Sequence, residues 1–598
     1  ATRYMPEEEF FRLERWAWYW RDRTHADGTL GDPGEQFKIY QNLKAEQATY
    51  RSSDPAWKHE GPTRNTGGYW AMGRTTHVDF HPTDNKTFFI AAANGGVWKT
   101  TNGGQSYTSL GENLPQQAVG IVIVDPRNTS NLYITLGEKD GWWQYGLGVY
   151  KSTDGGKTWN PTGLSYKLTD NKVIYGMVMH PQNSNILLAS TNNGIYKTVD
   201  GAITWTKVRT EDFSDIKYKY NNPNVLYAAR NDYWGSCEVF QSTDGGDNWK
   251  QITSFNKQKS FFRLVTTPAD PEYIGINASE DGQRSFYLSK DGGSKFEFIC
   301  NPPENAVFFI SPYETNVMYC GSVRVHKSYD GGFSWTQLTE YYNDGTHAEV
   351  HADHHYVGFH PRDKHLLYFC NDGGLHQYNE SIEIWAELSQ GLPITQFYKM
   401  AISTNTPPSL IGGSQDNGGW IRRSNGSWGN TNGGDAMWQL IDPSNAKIGY
   451  TEYWGGRAVY RTTDNFLNLT DLHGNLPADI QGQWVTPFSL NPKNPRTFLI
   501  GYHEVFISPD RGNSFKQISS GLTGAEDKDL RNVEMSPVDS NIIAASYANQ
   551  LYLTYDYGKN WTKTTLPTNF DISSIEFHPT DANRMWITRA GLGTYKVM

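Results

Sequence analysis

The densest group of side chains capable of chemistry lies between His347 and His355. His351, Asp353 and His355 alternate along a predicted strand, so all three project to one side of it. Asp372 follows in an Asn-Asp-Gly-Gly loop. Imidazole and carboxylate groups at this density can bind a divalent cation, which makes these four residues the candidate metal site. No other cofactor is indicated. We favour the alternative that the same groups orient one another in a hydrogen-bonded network without an ion.

Three further carboxylates, Asp416, Asp435 and Glu504, are predicted to face the same way as Asp372. Asp416 lies in the stretch Ser-Gln-Asp-Asn-Gly-Gly, and Asp435 lies in Gly-Gly-Asp-Ala-Met-Trp. A glycoside hydrolase uses two carboxyl groups at a defined separation, which the sequence does not give. Asp372, Asp416 and Asp435 are therefore the candidate catalytic residues.

Aromatic side chains are concentrated in the loops that would surround these carboxylates. Flat rings on loops are well suited to stacking against pyranose rings, although they can equally pack the loops themselves. The candidate substrate-binding residues are Trp142, Trp143, Tyr145, Tyr233, Trp234, Trp420, Trp438, Tyr453 and Trp454.

The loops belong to a repeated unit marked by the pattern Ser/Thr-x-Asp-x-Gly-x-x-aromatic, here called the box. Clear copies begin at Ser152, Thr198, Ser242, Ser289, Ser328, Ser508 and Thr554, a copy with Asn for Asp begins at Thr100, and degenerate copies begin near Tyr378, Ile421 and Thr462. Successive copies are 39 to 52 residues apart, which is the length of one four-stranded propeller blade. The Asp is expected to cap its own turn, so we interpret the box as scaffold.

Counting the units predicts an all-β fold with two tandem β-propellers. Seven units predict a seven-bladed propeller over residues 61–392, and a second propeller with about five blades over residues 393–598. Residues 1–60 are predicted to form an N-terminal helical hairpin and linker, because 6–22 and 34–50 have helical spacing. The twelfth unit stops in its third strand, so the second propeller is expected to be incomplete. Either the C-terminus is shortened, or the ring is small or is closed by another segment.

The box resembles the Asp-box, or BNR repeat, of sialidases, sortilin-type receptors and xyloglucanase-type tandem-propeller glycoside hydrolases. Residues 72–104, 350–375, 391–420 and 433–445 resemble the secreted sortilin-like, glycosyl hydrolase-like proteins, many of them type IX secretion cargo of Bacteroidetes. The resemblance implies a secreted or cell-surface protein. Xyloglucanase-type enzymes place one catalytic Asp in the first-blade Asp-Gly-Gly loop and the other at the start of the second propeller. In this chain Asn94 occupies the first position and cannot act as a base, whereas Asp416 is similar to the second.

Composition excludes several classes of function. The 598 residues carry 53 Lys and Arg against 63 Asp and Glu, a net charge of −10, which is the wrong sign for binding nucleic acid. No apolar run approaches the ~20 residues that span a bilayer. Charged residues make up 19% and aromatic residues 14%, which is typical of a globular chain.

Two functions are consistent with these observations. The first is a protein that binds polysaccharide across a loop-face cleft between the propellers, and whether it also cleaves the polysaccharide is left open. The second is a non-catalytic, sortilin-like module that binds a cell-surface protein or serves as a subunit of a surface assembly. If the protein is an enzyme, it is a glycoside hydrolase.

Overall fold

The computed structural model describes residues 7–21, 23–24, 28–31, 38–39, 41–42, 59–65, 71–139, 145–230, 237–255, 261–280, 283–404, 408–525, 528–567, 571–589 and 594–597. The chain divides into two compact units. The first propeller unit comprises Asp32–Arg64 and Trp70–Ile394, and the second propeller unit comprises Ala1–Gly31, Asn65–Tyr69 and Thr395–Met598.

The first propeller unit contains seven four-stranded antiparallel sheets, which are blades 1 to 7. Blade 1 contains β1 (Thr75–Phe80), β2 (Phe88–Ala92), β3 (Gly96–Thr100) and β4 (Thr108–Ser109). Blade 2 contains β5 (Val119–Val124), β6 (Leu132–Leu136), β7 (Gly148–Ser152) and β8 (Asn160–Ser165). Blade 3 contains β9 (Ile174–Met179), β10 (Leu187–Thr191), β11 (Gly194–Thr198) and β12 (Thr206–Arg209). Blade 4 contains β13 (Phe213–Lys219), β14 (Asn222–Arg230), β15 (Cys237–Ser242) and β16 (Lys250–Phe255). Blade 5 contains β17 (Phe261–Thr266), β18 (Ile274–Glu280), β19 (Gln283–Ser289) and β20 (Glu297–Cys300). Blade 6 is β21 (Val307–Ile310), β22 (Met318–Gly321), β23 (Val325–Ser328) and β24 (Thr336–Gln337). A parallel pair, β25 (Thr339–Glu340) and β26 (Ala348–Glu349), precedes blade 7, which is β27 (His354–His360), β28 (Asp363–Asn371), β29 (Gly374–Asn379) and β30 (Ile384–Glu387).

The seven blades form a closed ring. The first strand of each blade contacts the first strand of the next, and β1 contacts β27 and β28 to complete the circle. Every blade is built from consecutive strands, so the ring closes by side-chain and loop contacts between blades 7 and 1 and not by an exchanged strand. At this seam the Met72 N–H donates to the Gly373 carbonyl at 2.8 Å, and the Thr75 hydroxyl donates to the Gly374 carbonyl at 2.5 Å.

The second propeller unit contains blades 8 to 12 in the same consecutive order. Blade 8 contains β31 (Phe397–Ile402), β32 (Leu410–Ser414), β33 (Gly419–Arg422) and β34 (Trp428–Asn432). Blade 9 contains β35 (Ala436–Ile441), β36 (Gly449–Tyr453), β37 (Val459–Thr462) and β38 (Thr470–Asp471). Blade 10 contains β39 (Phe488–Leu490), β40 (Phe498–Gly501), β41 (Val505–Ser508) and β42 (Lys516–Gln517). Blade 11 contains β43 (Asn532–Met535), β44 (Ile543–Tyr547), β45 (Gln550–Thr554) and β46 (Thr562–Thr565). Blade 12 contains β47 (Ile572–Phe577), β48 (Met585–Arg589) and β49 (Thr594–Val597). Short 3-10 helices span Leu168–Asp170, Trp454–Gly456 and His473–Asn475.

The hydrophobic core lies between consecutive blades, because each sheet is apolar on both faces. Between blades 9 and 10, for example, the rings of Tyr450 and Phe498 stack with centroids 4.8 Å apart, and Phe488 is fully buried beside them. The structure therefore confirms the all-β propeller class that the repeat predicts.

The box forms the same turn in blade after blade. In blade 2 the Ser152 hydroxyl donates to Asp154 and accepts from the Gly156 N–H at 2.8 Å, while the Asp154 carboxylate accepts from the Thr158 N–H at 3.0 Å. The indole N–H of Trp159 donates to the Leu110 carbonyl of blade 1 at 2.7 Å, which ties one blade to the preceding one. These carboxylates are committed to their own backbone.

One helix is described in the N-terminal region, α1 (Glu7–Arg21). It belongs to the second propeller unit, and its Trp20 is only 3% exposed. The second predicted helix, over residues 34–50, lies mostly outside the described residues. No helix in the described ranges combines the length and the apolar character needed to cross a membrane.

Candidate functional site

The first candidate cluster lies at the seam between blades 7 and 1. Asp372 occupies the turn between β28 and β29, and Arg74 directly precedes β1. The Arg74 guanidinium binds both Asp372 oxygens, with Nε to Oδ1 at 2.5 Å and Nη2 to Oδ2 at 2.8 Å, and its Nη1 lies 2.5 Å from Glu138 Oε1. His355 on β27 also hydrogen-bonds to Asp372. We call these four residues the seam clasp, and its three charged side chains are at most 5% exposed.

The electrostatics of the seam clasp follow from burial and pairing. Burial alone would raise the pKa of Asp372, but Arg74 and then His355 outweigh it and hold that pKa well below its usual range. Burial, with the neighbouring Asp372 charge, raises the pKa of Asp353 instead. Asp353 has a backbone φ of +61° at the entry to β27. Asp372 is therefore an ionised structural group with both oxygens engaged.

Two other histidines of this region, His351 and His376, each have one ring nitrogen within hydrogen-bond distance of a protein atom. His351 Nδ1 lies 3.0 Å from the Ala352 carbonyl, and Asn371 donates to His376 Nδ1 at 3.1 Å. Burial lowers the pKa of His376 to about 3. Burial, with the charge of His376, also holds the pKa of His354 well below its ordinary value.

The predicted metal ligands do not form a metal-binding arrangement. His351, Asp353, His355 and Asp372 all lie in the described part of the chain, and among described residues no three His, Cys, Asp or Glu side chains are placed to hold an ion. The physical reason is that Asp372 faces the Arg74 guanidinium, which supplies the positive charge that a cation would bring. Of the four residues, His355 and Asp372 are joined by a hydrogen bond.

The second candidate cluster lies in the second propeller unit and joins two of the predicted catalytic residues. Asp416 lies in the turn after β32 with a φ of +57°, and Asp435 directly precedes β35. The Asp416 N–H donates to Asp435 Oδ1 at 3.0 Å. Arg15 of α1 donates through one nitrogen, Nη2, to both carboxylates, at 2.7 Å from Asp435 Oδ2. We call Arg15, Asp416 and Asp435 the helix-bound pair.

The helix-bound pair is largely buried. The side chains of Arg15, Asp416 and Asp435 are 16%, 13% and 11% exposed. Burial opposes ionisation of the guanidinium, yet the two aspartates outweigh it and hold the pKa of Arg15 well above its ordinary value. Burial and then Asp435 also raise the pKa of Tyr398 well above its usual range. The carboxylates thus face a permanent cation.

Aromatic residues of α1 cover the area around the pair. Phe11 packs edge-on against Trp454 and Trp484, with ring centroids 4.7 and 5.5 Å apart. Trp18 packs edge-on against Tyr398 at 4.9 Å. The predicted sugar-stacking residue Trp454 is therefore in contact with a helix of its own chain, and Arg457 lies 3.7 Å from its ring centroid.

Other predicted stacking residues are also used internally. The prediction for Trp420 is wrong, because this ring is 0% exposed and its N–H donates to Ser414 Oγ at 3.1 Å. Trp438 packs against Phe488 at 5.8 Å and carries the Lys399 ammonium 4.9 Å from its centroid. The loop predicted for Trp420 is instead part of strand β33, whereas Trp438 lies near the start of β35, where the sequence predicts a strand start.

Of the remaining predicted aromatic residues, Tyr145 and Tyr453 lie in the described ranges and the other four do not. Tyr453 packs against Tyr460 with centroids 5.9 Å apart, and Tyr145 is half-buried. Trp142, Trp143, Tyr233 and Trp234 lie outside the described residues.

The sequence reasoning missed an exposed aromatic pair in the loop between β25 and β26. Tyr341 and Tyr342 are 41% and 51% exposed, and their rings meet edge to face at 5.0 Å. The Arg324 guanidinium lies 5.4 Å from the Tyr341 centroid and is held by Glu340 at 2.7 Å. Adjacent tyrosines before an Asn-Asp-Gly turn were the available signal. The pair, with charged groups at its edge, can stack a sugar ring.

A buried carboxyl group in the second propeller unit provides a pH test. Burial raises the pKa of Glu534 on β43 to about 8, the charge of Glu576 adds to this, and Lys399 opposes it. Because the folded-state pKa lies above the unfolded one, stability is lost as pH rises toward 8. We expect the free energy of unfolding of Glu534→Gln, taken relative to that of the unsubstituted protein, to rise by about 2 kcal/mol between pH 6 and pH 8. Urea unfolding at the two pH values measures this.

The matched control is Glu314→Gln on an exposed turn of blade 6. It replaces an exposed carboxyl group and should leave the free energy of unfolding within about 0.5 kcal/mol of that of the unsubstituted protein at both pH values. Equal pH dependence in Glu534→Gln and the unsubstituted protein would contradict the assignment.

Comparison with known proteins places the chain among propeller proteins of two kinds. The Sortilin-Vps10 family model (sortilin, neurotensin receptor 3) matches residues 147–282 and 503–595. A xyloglucanase of Hypocrea jecorina is 28% identical over 240 residues, 38% of this chain and 26% of the relative. The matched part thus spans about a quarter of that relative's length.

Solved structures show the same fold. The Niastella koreensis GH74 enzyme covers 90% of this chain and 85% of its own, with a TM-score of 0.63 at 18% identity. The GH74 xyloglucanase from Xanthomonas campestris covers 88% and 85%, with a TM-score of 0.64 at 13% identity. The chain is therefore similar in part of its sequence to sortilin-type proteins and to xyloglucanases, and it shares the fold of the GH74 structures.

Proposed function

We propose that the protein is a secreted or cell-surface polysaccharide-binding protein that does not hydrolyse its ligand while α1 is in place. The observation that carries the proposal is the helix-bound pair, in which one Arg15 nitrogen occupies both Asp416 and Asp435. A glycosidase must place one carboxyl group at the leaving oxygen and the other at the sugar or a water molecule. Here both carboxylates are instead engaged by the guanidinium of Arg15.

The two other candidate positions support the same conclusion. Asp372 is held by Arg74 and His355 in the seam clasp. Asn94, at the first-blade position, has no carboxyl group. Two observations support polysaccharide binding: the sequence similarity to a xyloglucanase and the exposed rings of Tyr341 and Tyr342.

The binding proposal is tested by retention on neutral plant and algal polysaccharides, with xyloglucan as the first. We expect retention in affinity electrophoresis, and about tenfold weaker binding for Tyr341→Ala combined with Tyr342→Ala, since two stacking contacts are removed. Tyr329→Ala, which removes a ring of similar exposure (54%) on the box turn of blade 6, should bind normally. Retention of no polysaccharide would contradict the proposal.

The absence of hydrolysis is tested separately by release of reducing ends. We expect none above background from the unsubstituted protein. Release that disappears in Asp416→Asn would show that Asp416 is catalytic despite Arg15 and would overturn the non-hydrolytic part.

One observation favours a protein ligand as the second candidate. The second propeller unit already binds a polypeptide, because α1 places Arg15 and two aromatic rings, Phe11 and Trp18, on a surface with two carboxylates. A protein partner with a basic, aromatic helix would present the same groups. Displacement of α1 by such a peptide, together with no polysaccharide retention, would support this alternative.

A further inference from the structure

A cavity of about 600 Å³ lies on the second propeller unit, away from the helix-bound pair. One wall is β42 with the residues that follow it, 518–522, and the other is the box of blade 11 with the start of β46. The volume is within the range of small-ligand sites, ~300–1,000 Å³. None of the candidate residues chosen from the sequence lines it.

The cavity is strongly cationic in an acidic protein. Its lining contains Lys516, Lys559 and Lys563 and no Asp or Glu, although the whole chain carries a net charge of −10. Within the described ranges, none of the three ammonium groups has a carboxylate partner. Behind the wall, Glu504 accepts hydrogen bonds from Ser519 and Gly521, and Asp556 accepts from Asn560. The charged groups of the lining itself are all ammonium groups, which favours an anionic ligand.

The cavity wall also contains a backbone conformation that needs an explanation. Tyr557 occupies the fourth box position with a φ of +61°, where Gly103, Gly155 and Gly245, among others, have φ between 70° and 77°. A left-handed conformation costs a non-glycine residue about 1 kcal/mol or more. Asn465 and Arg511 have φ of +63° and +64° at the same position of the boxes in blades 9 and 10, so the box turn itself explains this conformation. What bears on binding is that the Tyr557 ring lines the cavity and is 36% exposed.

A second aromatic ring is held rigidly beside it. The indole N–H of Trp561 donates to the Ile518 carbonyl at 2.9 Å, which fixes this ring in the wall. Asn560 and Gln517 add amide groups to the lining. Flat rings, amides and ammonium groups together are the set of contacts that a charged sugar requires.

We propose that this cavity binds an acidic saccharide, with its carboxylate or sulfate group on Lys516, Lys559 and Lys563 and its ring against Tyr557 and Trp561. The site deepens the proposed function and rests on it only in the choice of a saccharide as ligand. It shares no residue with the Tyr341–Tyr342 pair, so the two sites fail or succeed independently.

The test measures binding of the whole chain to polygalacturonate and dextran sulfate, with neutral xyloglucan and inorganic sulfate as comparison ligands. The variant carries Lys516→Gln, Lys559→Gln and Lys563→Gln. We expect at least tenfold weaker binding of the two acidic polymers and unchanged retention of xyloglucan. The matched control is Lys157→Gln, an exposed lysine at the same box position in blade 2, which should bind as the unsubstituted protein does.

Three outcomes would overturn the proposal. The first is equal binding by the triple variant, and the second is an equal loss in Lys157→Gln. The third is full competition by inorganic sulfate at the same concentration of anionic groups, which would assign the site to a free anion. Loss of xyloglucan retention alone would contradict the proposed function and leave this site standing.

A second variant separates binding from folding. Tyr557→Gly restores the residue that most other boxes use at this position, so the melting temperature should not fall. We expect acidic-polymer binding to weaken about fivefold or more. Unchanged binding would show that the ring has no role and would overturn the aromatic part of the proposal.

Discussion

Replacing Arg15 by methionine is expected to destabilise the second propeller unit by about 3 kcal/mol. Methionine keeps much of the aliphatic packing of Arg15 but removes the guanidinium. Asp416 and Asp435 then remain close together without a counter-charge, at 13% and 11% exposure. Breaking a buried ion pair from one side is costly because the remaining charges stay desolvated. Urea unfolding monitored by tryptophan fluorescence measures the loss.

Two controls separate this effect from a general disturbance of α1. Arg12→Met removes an exposed arginine from the same helix and should change stability by no more than about 0.5 kcal/mol. Adding Asp416→Asn and Asp435→Asn to Arg15→Met should recover at least half of the loss, since the unpaired charges are gone. A loss that is the same with and without the aspartates would contradict the charge argument and indicate packing alone.

Replacing Arg74 by methionine is expected to destabilise the first propeller unit by about 4 kcal/mol. This residue has two buried carboxylate partners, Asp372 and Glu138, and the three side chains are at most 5% exposed. Arg74 also joins blade 1 to blade 7, and the ring has no exchanged strand to compensate. The seam should therefore open before the other blade contacts. Urea unfolding and proteolysis near the seam measure the effect.

The same variant should change the acid sensitivity of the protein. The pKa of Asp372 is held well below its usual range in the folded state. The resulting stability is present above the unfolded pKa of about 4 and is lost as pH falls through the lower folded pKa. The difference in the free energy of unfolding between the unsubstituted protein and Arg74→Met should therefore be lost below about pH 4. An advantage that is constant from pH 7 to pH 3 would contradict the ionised state assigned to Asp372.

The control for the seam is Arg362→Met. Arg362 is exposed and also joins blade 7 to blade 1, where its Nη1 donates to the Thr83 carbonyl at 3.0 Å. We expect a loss of about 0.5 kcal/mol or less, because an exposed contact is replaced by water. An equal loss in the two variants would show that any contact across the seam is equally important.

The blade pattern could be predicted because its information is local. A box such as Ser152 to Trp159 closes its turn with hydrogen bonds inside eight residues, and its period identifies each sheet. The proximity of His355 to Asp372 could be predicted for a related reason. The two residues lie 17 positions apart, His355 on β27 and Asp372 in the turn that follows β28.

The charged partners of these carboxylates could not be predicted in this way. Arg74 lies 298 positions from Asp372 and Arg15 lies 401 positions from Asp416, so nothing in the local pattern connects them. The error for Trp420 has a similar cause. Its neighbours in sequence are typical of a loop, but its ring is covered by residues of the folded sheet.

By itself, the sequence determined the all-β class, the repeated blade and the turns that end it, because each of these depends on contacts between near neighbours. Only the tertiary structure decided what the candidate carboxylates do. Closing the first ring places Arg74 against Asp372, and docking α1 places Arg15 between Asp416 and Asp435. A carboxylate has the same sequence signature in a catalytic pair and in an ion pair, and its partner, which is distant along the chain, decides between them.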